Sequence, residues 1–295
     1  MRIGVDLGGT KIEAVLLDPS GAERLRQRRA TPRAAGYDAI VAAVAELALA
    51  LEAEAGEPCT VGVGTPGAAS RRTGLMKNCN TTALNGQPLH RDLARALGRE
   101  VRLENDANCF ALSEAHDGAG RGHRVVFGVI LGTGVGGGLV VDGRVHTGPN
   151  AIAGEWGHVV VDPGGPPCSC GRRGCVETLL SGPAMAASYV AAGGAPGADA
   201  RAVAERAEAG EPLARATLDR WLEWFGRSLA VVVDVVDPDV VVLGGGLSAM
   251  PLVYREGPAA VARHVFSDDL RTPIVANVHG DSSGVRGAAW LWPAG

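Results

Sequence analysis

Three times in this chain an apolar stretch runs straight into glycine. Ile3-Gly4-Val5-Asp6-Leu7 leads into Gly8-Gly9-Thr10, Val129-Ile130-Leu131 into Gly132-Thr133-Gly134, and Val240-Val241-Val242-Leu243 into Gly244-Gly245-Gly246. Short apolar runs bounded by glycine read as buried strands. Glycine at the strand end lets the backbone turn sharply or approach a ligand closely. The first two segments also echo one another: Gly4–Thr10 resembles Gly128–Gly134 at an offset of 124 residues. A repeat that long predicts two domains of related topology, not a solenoid. Glycine totals 43 of 295 residues, about twice the usual share of roughly 7%, and it is gathered in such clusters.

The segments between them alternate in type. Apolar residues at Ile40, Val41, Val44, Leu47 and Leu51 have helical spacing over residues 37–55. Leu89, Leu93 and Leu97 mark a second helix that stops at Gly98. Thr60 to Gly64 and Val101 to Leu103 read as strands, and Asn105-Asp106 opens a helix to about His116. Further helices are expected over 181–192, 200–209, 212–236 and 253–265, with a last strand from Ile274 and a short terminal helix. Alternating strands and helices predict an α/β fold with mixed sheets covered by helices. The expected domains are 1–115 plus 284–295, a small α/β domain, and 116–283, a larger one.

Composition excludes several classes. Lys and Arg number 28 against 32 Asp and Glu, a net charge of −4, which argues against a broad nucleic-acid footprint. The longest uncharged run, Thr178 to Ala198, is broken by Pro183 and Pro196, so no membrane span or membrane partner is expected. Met1-Arg2 leads directly to Asp6, unlike a secretory signal, and a cytoplasmic location is expected.

Several constellations can carry chemistry. Glycine N–H groups in Asp6-Leu7-Gly8-Gly9-Thr10-Lys11 can form a concave anion site, with Thr10 as an added donor. Asp6 stands where the echo has Ile130, and a strand carboxylate there is costly unless paired; Mg²⁺ with phosphates is one candidate. An ordinary turn with a backbone-satisfied Asp is the alternative. Gly132-Thr133-Gly134 offers a second cradle, and Gly244-Gly245 would let an adenosine lie flat. Three such turns together point to a nucleotide in a cleft. His158 with Cys168, Cys170 and Cys175 is the donor set of a structural Zn²⁺, and Gly171 and Gly174 allow the tight turns between them. Arg172 and Arg173 could offset thiolate charge. Cys59, Cys79 and Cys109 read as small apolar or pocket-edge residues. Asn105-Asp106 lies at a strand-to-helix corner, where a lone Asp reads first as an N-cap. Glu155, His158 and Glu177 flank the Cys-rich loop, and acids and amides around a cleft suit a polyhydroxylated sugar.

Together these motifs resemble the ROK family of sugar kinases and repressors. Asp6–Lys11, Glu104-Asn105-Asp106-Ala107-Asn108, Glu155-Trp156-Gly157-His158 and Cys168-x-Cys170-Gly171-x-x-Gly174-Cys175-x-Glu177 match its pattern in order, across the whole chain. Lys77-Asn78-Cys79-Asn80, Leu84–Pro88 and His279–Pro293 look like the fructokinase/mannokinase branch. The resemblance implies a two-domain, actin-like (ribonuclease H-like) fold with a cleft and a structural zinc loop. It implies ATP and Mg²⁺ as cofactors and a hexose, fructose first, as substrate. A glucokinase or N-acetylhexosamine kinase is the alternative. Asp106 falls on the catalytic base, and Gly67, Asn80, Asn105, Glu155, His158 and Glu177 fall on sugar-binding positions. Asp6, Gly8, Gly9, Thr10, Lys11, Gly132, Thr133, Gly134, Gly244 and Gly245 fall on nucleotide positions. A homodimer is expected. Family repressors carry a helix-turn-helix ahead of this region; here the first strand begins at residue 2, which disfavours that reading. Ala83 stands where that branch tends to carry Trp, which leaves sugar preference open.

Overall fold

The computed structural model describes residues 1–280 and 283–292. Asp281, Ser282 and Pro293 of the C-terminal block quoted above lie outside them, as do residues 294–295. The first sheet is built from β1 (Arg2–Leu7), β2 (Lys11–Leu17), β3 (Glu23–Ala30), β4 (Thr60–Thr65) and β7 (Arg102–Asn105), in the order β3-β2-β1-β4-β7. A two-stranded ladder joins β5 (Ala68–Ala69) to β6 (Met76–Lys77). The second five-stranded sheet runs β10 (Arg144–Val145), β9 (Val135–Val141), β8 (Val125–Leu131), β11 (Val240–Gly244), β12 (Ile274–Ala276).

The two sheets have the same strand order, so the sequence echo is a topological one. In the first, Asp6 pairs in parallel register with Gly64. In the second, Ile130, its counterpart, pairs with Gly244. Both glycine turns therefore leave the C-terminal end of a central parallel strand, where open α/β sheets bind ligands.

Helices follow the apolar periodicity. α1 (Tyr37–Ala55) buries Ile40, Val44, Leu47 and Leu51. α2 (Leu89–Leu97) buries its three leucines and ends at Gly98 with φ +66°, the left-handed cap that glycine adopts without Cβ strain. α3 (Asp106–Asp117) follows β7 directly. Then come α4 (Glu177–Leu180), α5 (Gly182–Ala191), α6 (Ala200–Glu208), α7 (Pro212–Val236), α8 (Pro251–Ala262) and α9 (Ser283–Trp290). The chain forms two compact units. One holds Met1–Gly122, Gly138–Ala153 and the C-terminal stretch with α9; the other holds His123–Gly137 and Gly154–Gly280. Among the described residues, no helix is long and apolar enough to cross a membrane.

Besides the two-residue strands β5, β6 and β10, β3 has no sequence signature. β3 reads Glu-Arg-Leu-Arg-Gln-Arg-Arg-Ala, too charged to look like a strand. It is a sheet edge, where charge discourages further pairing. Its Arg26 and Arg28 bond the buried carboxylate of Glu13 on β2.

Candidate active site

In the first unit, the ends of three parallel strands bring the expected residues together. Gly64 pairs with Glu104 and Thr65 with Asn105, so Asp6, Thr65 and Asn105 close one edge of the sheet. Asn105 is the N-cap of α3: its side-chain oxygen accepts from the N–H groups of Ala107, at 2.9 Å, and Asn108, at 3.4 Å. This corrects the cap reading of Asp106. Asp106 is instead the first helical residue, with Oδ1 accepting from the Ala107 N–H at 2.8 Å. Glu104 braces the corner from behind. Its Oε1 accepts from the Asn105 N–H at 2.9 Å and the Asn108 amide at 3.0 Å, and burial pushes its carboxyl up.

The Asp6 carboxyl is pushed up from 3.8 to about 7 by burial, then by Asp106 and Glu13, with Lys11 opposing. Two acids close enough to repel one another make a site suited to a cation. The turn itself is tight: the Gly8 N–H donates to Lys11 O at 3.0 Å, and Thr31 Oγ1 donates to Gly8 O at 2.8 Å. Gly9 faces Thr81, and the Thr10 carbonyl accepts from the Thr31 N–H at 3.0 Å. Lys11 is half-exposed and its Nζ lies 3.3 Å from Glu13 Oε2, so its charge is shared with a carboxylate. Gly67 is packed under the next loop, where a Cβ would lie 2.6 Å from Cys79 Sγ. Asn80 is exposed. Cys59, Cys79 and Cys109 are all buried, as expected.

In the second unit, Gly132-Thr133-Gly134 and Gly244-Gly245 lie side by side. The Gly132 N–H donates to Gly134 O at 2.9 Å, and Gly132 O accepts from the Gly182 N–H at 2.8 Å. Gly245 has φ +81°, and a Cβ there would come within 2.4 Å of Leu131 O, so the close approach excludes any side chain. Glu177 opens α4 and its Oε2 accepts from the Val135 N–H at 3.1 Å. The same oxygen would lie 2.7 Å from a Cβ on Gly134. Glu177 thus holds the glycine turn as well as lying near the Cys-rich loop. Glu155 and His158 flank Trp156, which is buried and donates Nε1–H to Gly136 O at 2.8 Å.

The four metal-donor residues converge. Their ligand atoms all lie within 4.8 Å of one another. His158 Nδ1 is 3.5 Å from Cys168 Sγ, and Cys170 Sγ is 3.6 Å from Cys175 Sγ. At a Zn–S bond of about 2.3 Å, a tetrahedron has an S···S edge of about 3.8 Å, so the donor set fits Zn²⁺. The loop has a backbone scaffold of its own. Val160 bridges Cys175 and Pro167 bridges Arg173, and a Cβ on Gly174 (φ +63°) would overlap Asp162 O at 1.5 Å. Arg172 Nε donates to Cys170 Sγ at 3.5 Å, the charge compensation expected of it.

A model of the ROK family matches residues 2–294. An N-acetyl-D-glucosamine kinase of Escherichia coli O139:H28 is 39% identical over 302 residues, covering 99% of each chain. The crystal structure of a ROK hexokinase from Thermus thermophilus superposes with a TM-score of 0.89 at 37% identity, covering 98% of this chain and 97% of that one. A ROK family glucokinase from Streptomyces griseus, in complex with glucose and AMPPNP, gives 0.81 at 30% identity, covering 100% and 99%.

The chain belongs to the ROK family. Its fold is that of the ROK sugar kinases, with mixed α/β sheets and a Cys₃His group. Within this ROK fold, three positioning residues stand in the sequence only as members of motifs, with no role read for them: Glu104, Trp156 and Asn85. Trp156 anchors the Glu155–His158 turn. Asn85 clamps the Cys79 loop, accepting from the Cys79 N–H and donating to Cys79 O, both at 2.9 Å.

The raised Asp6 carboxyl carries a stability prediction. Between about pH 4 and 7 the folded protein keeps a proton that the unfolded chain has lost, so stability falls as pH rises through that window and is level above it. Asp6→Asn is therefore expected to leave the melting temperature near pH 4 unchanged. At pH 8, without nucleotide, it should raise stability by up to about 4 kcal/mol. Thermal melts across pH check this; equal melting curves at pH 8 would sink it.

Proposed function

We propose that this protein transfers the γ-phosphoryl group of ATP to the terminal hydroxyl of a hexose, with N-acetyl-D-glucosamine first and glucose next. The observation that carries the reading is the 39% identity, along 99% of both chains, to an N-acetyl-D-glucosamine kinase. The relative bound to glucose and AMPPNP supports glucose and ATP as further candidates. Fructose, to which the sequence motifs pointed, has no support from these relatives.

Asp106 takes the role of base. A carboxylate is a weak base at neutral pH, so its work is to orient the attacking hydroxyl and accept its proton late. Asn105, Glu155, His158, Gly67 and Asn80 are assigned to the sugar, whose hydroxyls need both donors and acceptors. Glu177 is assigned to the same sugar set, while its bond to Val135 also ties it to the nucleotide turn. With Nδ1 of His158 turned to the thiolate cluster, Nε2 is the nitrogen left for a hydroxyl. The Asp6–Lys11 turn, Gly132-Thr133-Gly134 and Gly244-Gly245 take the nucleotide, their N–H groups meeting the phosphates. Asp6 is the residue that would face Mg²⁺, which would offset phosphate charge. His158, Cys168, Cys170 and Cys175 would hold Zn²⁺ as a structural ion.

A coupled ADP-release assay with N-acetyl-D-glucosamine, glucose, mannose and fructose tests this. The expected order of kcat/KM places N-acetyl-D-glucosamine or glucose first. A preference for fructose would overturn the substrate reading, and no ADP release with any sugar would overturn the kinase reading.

A further inference from the structure

Thr81 is 1% exposed, and its buried Oγ1 has no hydrogen-bond partner among the described residues. A hydroxyl taken out of water without a partner is costly. The chain offers it one use and leaves that use aside. Thr81 stands at the N-cap of the short 3₁₀ turn Thr82–Leu84, yet its side chain makes no cap bond, although threonine is a good cap. Its Oγ1 lies instead against the first glycine turn: a Cβ on Gly9 would come within 3.3 Å of it.

The loop that carries Thr81 is held in place. Its base is closed by the Met76 N–H on Gln87 O at 2.9 Å and the Gly86 N–H on Met76 O at 2.8 Å. Asn85 clamps Cys79, two residues before Thr81, through both backbone groups. Asn78 takes φ +59°, a left-handed conformation that Asn adopts more readily than most residues. On the other side, the turn has donors to spare. The Gly8 N–H is used by Lys11 O, but the N–H groups of Gly9 and Thr10 meet no backbone carbonyl among the described residues. Gly8 and Gly9 are half-buried and Thr10 is exposed. A turn of two glycines is free to adjust its backbone, so seating a phosphate can open the hydroxyl to it.

We propose that the Thr81 hydroxyl donates a hydrogen bond to the terminal phosphoryl group of ATP seated on the Gly8-Gly9-Thr10 turn. This assignment rests on the kinase reading above. Asn80, the preceding residue, belongs to the set assigned to the sugar, and Thr81 faces the turn assigned to the nucleotide. The phosphate that meets both is the one being transferred. Its outer oxygens carry the charge, so a hydroxyl aimed at them makes a charge-assisted bond. The bond satisfies a group that the nucleotide-free protein leaves without a partner.

Calorimetric titration with AMPPNP and with ADP tests the proposal in Thr81→Val, which removes the hydroxyl at nearly constant shape. The Kd for AMPPNP should rise about tenfold, the worth of a hydrogen bond to a charged group, while the Kd for ADP holds. The melting temperature of the nucleotide-free variant should not fall, since the hydroxyl has no bond to lose there. Thr81→Ser keeps the hydroxyl and should recover AMPPNP affinity. A Thr81→Val protein that binds AMPPNP as the wild type does overturns the proposal and leaves the kinase reading standing. If it also melts lower, the hydroxyl serves the fold. Equal losses for AMPPNP and ADP overturn the assignment to the terminal phosphoryl group. A wild-type protein that binds neither nucleotide overturns both this proposal and the kinase reading.

Discussion

Asp106→Asn is expected to lower kcat by about 10²- to 10⁴-fold, the range for loss of a general base, while nucleotide affinity is unchanged. The substitution is a clean one because the capping duty at this corner belongs to Asn105. Asparagine can keep the bond that Asp106 Oδ1 accepts from the Ala107 N–H, so α3 should start as before and the melting temperature should hold. A second readout is independent of turnover. Asp106 is one of the charges that push the Asp6 carboxyl up. Removing it should bring that carboxyl down, so the stability loss on raising pH ends at a lower pH than in the wild type. Rapid kinetics with the preferred sugar and melts across pH separate the cases. A kcat within a few-fold of wild type, with the pH profile shifted, would leave Asp106 a neighbour of Asp6 and not the base.

What could be read from the sequence was whatever leaves a local or periodic trace. The helix at 37–55 and the one ending at Gly98 were legible because apolar spacing and a glycine stop are written within a few residues. The repeat of strand order was legible from one seven-residue echo. β3 was not, because its strand character comes from Glu13 on the neighbouring strand, which collects Arg26 and Arg28. The cap at α3 was misassigned by one residue, since Asn and Asp are both good caps and only geometry decides. In the site, the glycines and the metal donors were visible by type and spacing. The bond from the Val135 N–H to Glu177 and the clamp of Asn85 on Cys79 were not: a side chain meeting backbone beyond its own element obeys no period.

Loss of the metal donor set is expected to act on the sugar before it acts on the fold. One zinc per chain should be found by elemental analysis of protein purified without chelator. Cys175→Ser should abolish it, because Cys175 is fully buried and a hydroxyl is a poorer donor to Zn²⁺ than a thiolate. The loop would keep part of its shape, since Val160 and Pro167 bridge it through backbone and Gly174 is locked against Asp162. The His158 ring meets Cys168 Sγ through Nδ1 at 3.5 Å, and a bound ion would fix its orientation. The fall in kcat/KM for the sugar should therefore be about 10- to 100-fold, the usual effect of losing an orienting partner at a metal-linked ligand. His158 belongs both to the donor set and to the residues assigned to the sugar, whereas no residue assigned to the nucleotide is a metal donor, so the KM for ATP should move less than the KM for the sugar. Cys59→Ser, at a buried thiol remote in sequence from the loop, serves as the control for the cost of a serine in the interior. Full activity in a metal-free Cys175→Ser preparation, or equal losses for sugar and nucleotide, would break the link between the zinc loop and sugar binding.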